Sequence, residues 1–89
     1  MPRKATKLLE RARRSAANFT LADLEQMYLG FGFEIRPGRH PIAKHPRYPQ
    51  LRNTLPNHTS FASEYVRVAV KSIDRLLELE AEEDERHDK

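Results

Sequence analysis

Apolar residues along this chain fall into patterned stretches separated by turn residues. Leu8, Leu9, Ala12 and Ala16 recur at three- and four-residue spacings among good helix formers, which predicts a short helix over residues 7–17. Thr20 followed by Asp23 has the layout of a capping box with Asp in the usual Glu position, so a second helix begins near Leu21. Its stripe is Leu21, Leu24, Met27, Tyr28 and Phe31, and Gly30 or Gly32 supplies the stop, setting this helix at about 21–31.

After Gly32 the period falls from helical to alternating. Phe33 and Ile35 alternate with Glu34 and Arg36 as in a half-buried strand, and Pro37-Gly38 predicts a tight turn into a second strand over residues 39–44. Pro41 lacks a backbone donor, which confines it to a position whose nitrogen faces away from a neighbouring strand. His45-Pro46-Arg47-Tyr48-Pro49 reads as a loop, and Leu51, Asn53 and Leu55 alternate with Arg52 and Thr54 in a third short strand closed by Pro56-Asn57. From about Ser60 a long amphipathic helix follows. Phe61, Tyr65, Val68, Ala69, Ile73, Leu76 and Leu77 define its apolar face, Val66 and Val70 widen it, and it frays after Leu79. The order helix, helix, three strands, helix predicts an α+β domain. Its helices cover one face of a three-stranded antiparallel sheet and leave the other to solvent or ligand.

With 89 residues there is room for one domain only. Charge divides it unevenly. Residues 1–19 carry Arg3, Lys4, Lys7, Arg11, Arg13 and Arg14 against Glu10 alone, a basic N-terminal arm or short helix. Residues 20–79 make up the body, where Arg36, Arg39, Lys44, Arg47 and Arg52 crowd into the strand region. Residues 80–89 are an acidic, fraying tail. A basic front and an acidic rear favour a polyanion as the partner of the front, with two solvated ends as the plainer alternative. No run of about 18 apolar residues offers a membrane span, and no apolar stretch behind the basic N-terminus suggests a secretory signal, so the expected location is the cytoplasm. Without cysteine there is no disulfide framework, no thiolate zinc site and no cysteine nucleophile.

Histidine and arginine are what remain for chemistry. His40 and His45 lie five apart on an expected strand and point to opposite faces of the pleat, while His87 falls in the tail. Neither a convergent ligand set nor a glycine-rich phosphate loop is evident, so no metal or cofactor is expected. A histidine beside cations can cut RNA without metal. Imidazole moves the proton of the ribose 2′-hydroxyl or of the departing 5′-oxygen, and Arg or Lys stabilises charge on the phosphate. His40, between Arg39 and Lys44, is the candidate, and an ordinary exposed strand residue is the alternative. Tyr48 is either a base-stacking platform or a loop aromatic folded onto the sheet, and His58 either caps the last helix or lines the site.

The run Gly32-Phe33-Glu34-Ile35, then Gly38-Arg39-His40, Ile42 and His45-Pro46, closed by a third strand and a long helix, resembles the HicA family of bacterial toxin components. Lys7 to Ser15 and Asn18 are similar to the leader found in one branch of that family, and the resemblance covers about residues 7–79. It implies a double-stranded-RNA-binding-like fold and a metal-independent mRNA interferase, an endoribonuclease held silent by a HicB-like antitoxin. It also implies a catalytic role for His40 and RNA binding through Arg36, Gly38, Arg39, Lys44, Arg47 and Arg52. The family pattern Gly-Ser-His is met at Gly38 and His40, with Arg39 in the serine's place. That departure keeps a second function open, a catalytically lapsed relative serving as an RNA-binding or protein-binding module.

Overall fold

The computed structural model of the protein describes residues 3–57 and 61–87. Three helices, α1 (Arg3–Arg14), α2 (Leu21–Gly30) and α3 (Glu64–His87), accompany three strands, β1 (Glu34–Arg36), β2 (Ile42–Lys44) and β3 (Arg52–Thr54). The strands form one antiparallel sheet in the order β1-β2-β3. No helix among the described residues is long and apolar enough to cross a membrane.

The largest fully buried side chains are Tyr28, Leu24 and Met27 of α2 and Ile73, Leu76 and Val66 of α3, so the core lies where these two helices meet the sheet. One polar group from the sheet enters it. Asn53 donates from Nδ2 to the Tyr28 hydroxyl at 3.1 Å and to Ser72 Oγ at 2.6 Å, tying β3 to both helices. Burial drives the Tyr28 phenol up to about 12, against the smaller downward pull of the Asn53 hydrogen bond.

The N-terminal residues are not a free arm. α1 begins four residues earlier than the spacing predicts, and it buries Ala5, Leu8, Leu9 and Ala12 against α2 and α3. Its cations stand outside that stripe, so the helix docks through its apolar side despite its charge. Two of those cations also reach across: Arg11 meets Asp23 of α2 at 2.7 Å, and Arg13 forms a two-pronged pair with Asp74 of α3. Asn18, at φ 62°, turns the chain into α2.

The capping box forms as the sequence predicts. Thr20 Oγ1 accepts from the Asp23 N–H at 3.0 Å, and Asp23 Oδ2 accepts from the Thr20 N–H at 3.3 Å. Burial pushes the Asp23 carboxyl up, but the bonds from Arg11 and Thr20 outweigh it and hold the group below its ordinary value. Thr20→Ala is expected to cost about 1 kcal/mol, and Thr20→Ser much less. For a domain of this size that loss lowers the melting temperature by about 4–8 °C. A melt of Thr20→Ala that overlays wild type would show that the cap contributes nothing.

α3 departs from expectation at both ends and on one face. It starts at Glu64 rather than Ser60. It runs through His87 rather than fraying after Leu79, because Glu and Ala are good helix formers and Arg47 of the β2–β3 connection pairs with Glu83. The buried line follows Val66, Ala69, Ile73 and Leu76, whereas Val68 is 37% exposed and is not a core residue. At about 100° per residue, its side chain points roughly 120° around the helix from the middle of that line.

Candidate nucleic-acid interface

The register of the sheet decides which side chains share its open face. Ile35, Ala43 and Asn53 pair across the three strands, as do Glu34 with Lys44 and Arg52, and Arg36 with Ile42 and Thr54. Partners directly opposite point to the same side. Since Ala43 is fully buried and Asn53 bonds to α2 and α3, the row through Ile35 faces the helices and the other two rows face outward. Arg36, Lys44 and Arg52 therefore stand together on the uncovered face. Glu34 shares it, a carboxylate directly opposite Lys44 that partly offsets the positive charge of the face. Glu34, Arg36 and Lys44, with Pro46 and Pro49, line a shallow hollow of about 170 Å³ there.

Gly38, Arg39 and His40 lie in the connection between β1 and β2, and all three are exposed. His40 was expected on a strand after a tight turn. Pairing resumes only at Ile42 opposite Arg36, so residues 37–41 form the connection and His40 belongs to it. Pro41 explains the delay: it has no N–H to give, while its carbonyl accepts from Leu55 at 2.8 Å. Gly38 adopts φ 147°, where a side chain would strain the backbone, and open space surrounds the place a Cβ would occupy. Asn57 Nδ2 donates to the Arg39 carbonyl at 3.2 Å and fastens this connection from the far end of β3. Sequence spacing alone gave no sign of that tether. Among the described residues no hydrogen bond or ion pair holds the His40 imidazole.

Other candidates are placed elsewhere. Arg47 sits in the β2–β3 connection with its guanidinium on Glu83 and over the Tyr48 ring at 5.8 Å, so it is engaged within the chain and stands apart from the three sheet cations. Tyr48 is buried, 8% exposed, and is not available to stack on a base. Burial first, and then the neighbouring Glu83 carboxylate, raise its phenol above the ordinary value. His45 is a core residue, contacting the Phe33 ring edge-on at 5.1 Å and Tyr48 at 5.4 Å, with Nδ1 accepting from the Arg47 N–H at 3.1 Å. It also explains Gly32, where φ is 89° and any Cβ would come within 3.2 Å of His45 Nε2. The expectation for His58 lies outside the described residues, as does that for the His87 side chain. Among the described residues no group of His, Asp or Glu is arranged to hold a metal ion.

Chemically, the open face can neutralise a short run of phosphates through three cations, and the connection at its end presents an unrestrained imidazole beside Arg39. Comparison with family models, with curated proteins and with solved structures finds no match to this chain.

Proposed function

We propose that the protein is a HicA-like endoribonuclease, binding single-stranded RNA across the open face of its sheet and cutting it without metal through His40. The observation that carries this reading is the register: it gathers Arg36, Lys44 and Arg52 on the face that no helix covers, next to the connection bearing Gly38, Arg39 and His40. The order α2-β1-β2-β3-α3 supports a double-stranded-RNA-binding-like fold for residues 20–87, with α1 as an addition. In the reaction the ribose 2′-oxygen attacks the adjacent phosphorus as its bond to the 5′-oxygen breaks. His40 takes the 2′-hydroxyl proton or delivers one to the leaving oxygen, and Arg39 and Lys44 stabilise the charge that accumulates on the phosphate. The products are a 2′,3′-cyclic phosphate and a 5′-hydroxyl. A HicB-like antitoxin is the regulatory partner that the same resemblance brings.

A second reading is RNA binding without cleavage. Arg39 stands where the family has serine, and no hydrogen bond from a described residue orients His40. Both readings require the sheet cations. Replacing Arg36, Lys44 and Arg52 with Gln is expected to weaken binding to single-stranded RNA and to flatten its salt dependence, each lost phosphate contact removing roughly 0.7 from the log–log slope. Fluorescence anisotropy over a salt series measures both. Wild-type affinity and slope in the triple variant would exclude the sheet as the RNA surface.

A further inference from the structure

The cations of α1 remain after the sheet has been accounted for. Lys4, Lys7, Arg11 and Arg14 succeed one another at intervals of three, four and three residues, so they form one stripe along the helix, beside a surface hollow of about 380 Å³ that Leu8 and Glu10 also line. α1 packs on α2 and α3, and those helices cover the inner side of the sheet, so this stripe belongs to the helical side of the molecule. From these observations we infer that α1 is a second phosphate-binding surface for RNA, separate from the sheet.

Three features carry the inference. First, the stripe is rigidly mounted. Ala5, Leu8, Leu9 and Ala12 are buried beneath it, Arg13 grips Asp74, and Arg11 is held between Asp23 and the Phe19 ring, 4.5 Å from its centroid. Second, three of its four cations are available, Arg11 being engaged by Asp23. Among the described residues Lys4, Lys7 and Arg14 make no ion pair, and Glu10 is the one carboxylate lining the hollow. Third, its layout suits a regularly charged polymer. The ten residue steps from Lys4 to Arg14 spread four cations over about 15 Å of helix, a line along which successive phosphates of one strand can be met.

An acidic protein is the competing occupant, and the lining argues against it. Protein interfaces keep charge to the rim and bury an apolar centre, whereas surfaces that meet nucleic acid are polar and strongly cationic throughout. Among the described residues the only apolar one lining it is Leu8, 7% exposed in the free protein. Among the described residues of the hollow no apolar anchor is left for a protein partner to cover.

The inference rests on the RNA-binding reading, and one experiment separates their failures. Wild type, Lys4→Gln/Lys7→Gln/Arg14→Gln and Arg36→Gln/Lys44→Gln/Arg52→Gln are titrated with polyuridylate over a salt series, and with polyglutamate as an acidic polypeptide probe. Arg11 is left in place because it helps to hold α1 to α2. Circular dichroism melts check that all three proteins are folded. Each triple variant should lower the log–log salt slope on polyuridylate by about 2, from roughly 0.7 per phosphate contact, and the two losses should add when the sets are combined. A wild-type slope in the α1 variant, with loss confined to the sheet variant, would overturn the inference and leave the proposed function standing. Loss confined to the α1 variant would do the reverse. Unchanged polyuridylate binding with lost polyglutamate binding in the α1 variant would assign the stripe to an acidic protein and also overturn the inference, and a wild type that ignores polyuridylate would end both.

Discussion

On the proposed function, His40→Ala should lower RNA cleavage by about two to four powers of ten, the usual worth of one positioned acid or base, while fold and RNA affinity stay close to wild type. The imidazole is exposed, so removing it empties no part of the core. The cations assigned to phosphate are untouched. Cleavage is measured in excess EDTA with product ends mapped, and the expected wild-type products end in a 2′,3′-cyclic phosphate or its hydrolysis product. A strand whose nucleotides lack the 2′-hydroxyl should resist cutting, because in the proposed reaction the substrate supplies the nucleophile. His45→Ala is an instructive contrast. It should damage folding before chemistry, since His45 fills space between Phe33 and Tyr48. Equal cleavage by wild type and His40→Ala removes His40 from the mechanism. Absence of cleavage in folded wild type that still binds RNA selects the module without catalysis.

Leu76→Asp unfolds the protein. Leu76 is 1% exposed on the side of α3 that meets the core. Truncating a buried leucine alone costs about 2–5 kcal/mol. A carboxylate in its place adds the penalty of burying charge without a partner, and a small domain has only about 5–15 kcal/mol in total. The matched variant is Val68→Asp, eight residues earlier on the same helix. Its side chain faces solvent and the hollow formed with Asn53, Thr54, Glu64 and Tyr65, so its expected cost is within about 1 kcal/mol. Circular dichroism melts decide the matter. A folded Leu76→Asp, or a Val68→Asp that unfolds, would mean that the buried side of α3 is wrongly identified.

Val68 also shows where sequence pattern stops being informative. On α3 the apolar positions are numerous enough to fill more than half of the helix circumference, so several buried faces fit the same spacing. Only contact with α1, α2 and β3 selects the one through Val66 and Ile73. The capping box at Thr20 was legible because its two hydrogen bonds join residues three apart and need nothing from elsewhere in the chain. The alternation that put Arg36, Lys44 and Arg52 on one face was legible too, since side chains alternate strictly along a strand. What the pattern did not reveal depends on long-range partners. Arg47 stands among the cations expected to meet phosphate, and its pairing with Glu83, thirty-six residues away, leaves no trace in local spacing. The basic N-terminus was open to two readings, arm or short helix, and the helix starts earlier than its spacing predicts because the buried stripe includes Ala5, a residue whose burial leaves little trace in hydropathy. His40 fell off its expected strand through Pro41, whose effect on pairing depends on which neighbour its missing donor would have faced.

An open sheet is also a hazard, because strands at its two edges offer backbone groups on which other copies of the chain can polymerise. Here the strands are three residues long and prolines punctuate them. Pro37 follows β1, Pro41 precedes β2, Pro46 stands two residues after β2, and Pro56 two residues after β3. A ladder growing along either edge would meet a residue with no N–H to donate within a step or two of the strand's end. The same shortness that leaves the cationic face small thus also leaves little free edge, on β1 or β3, to which another copy could pair.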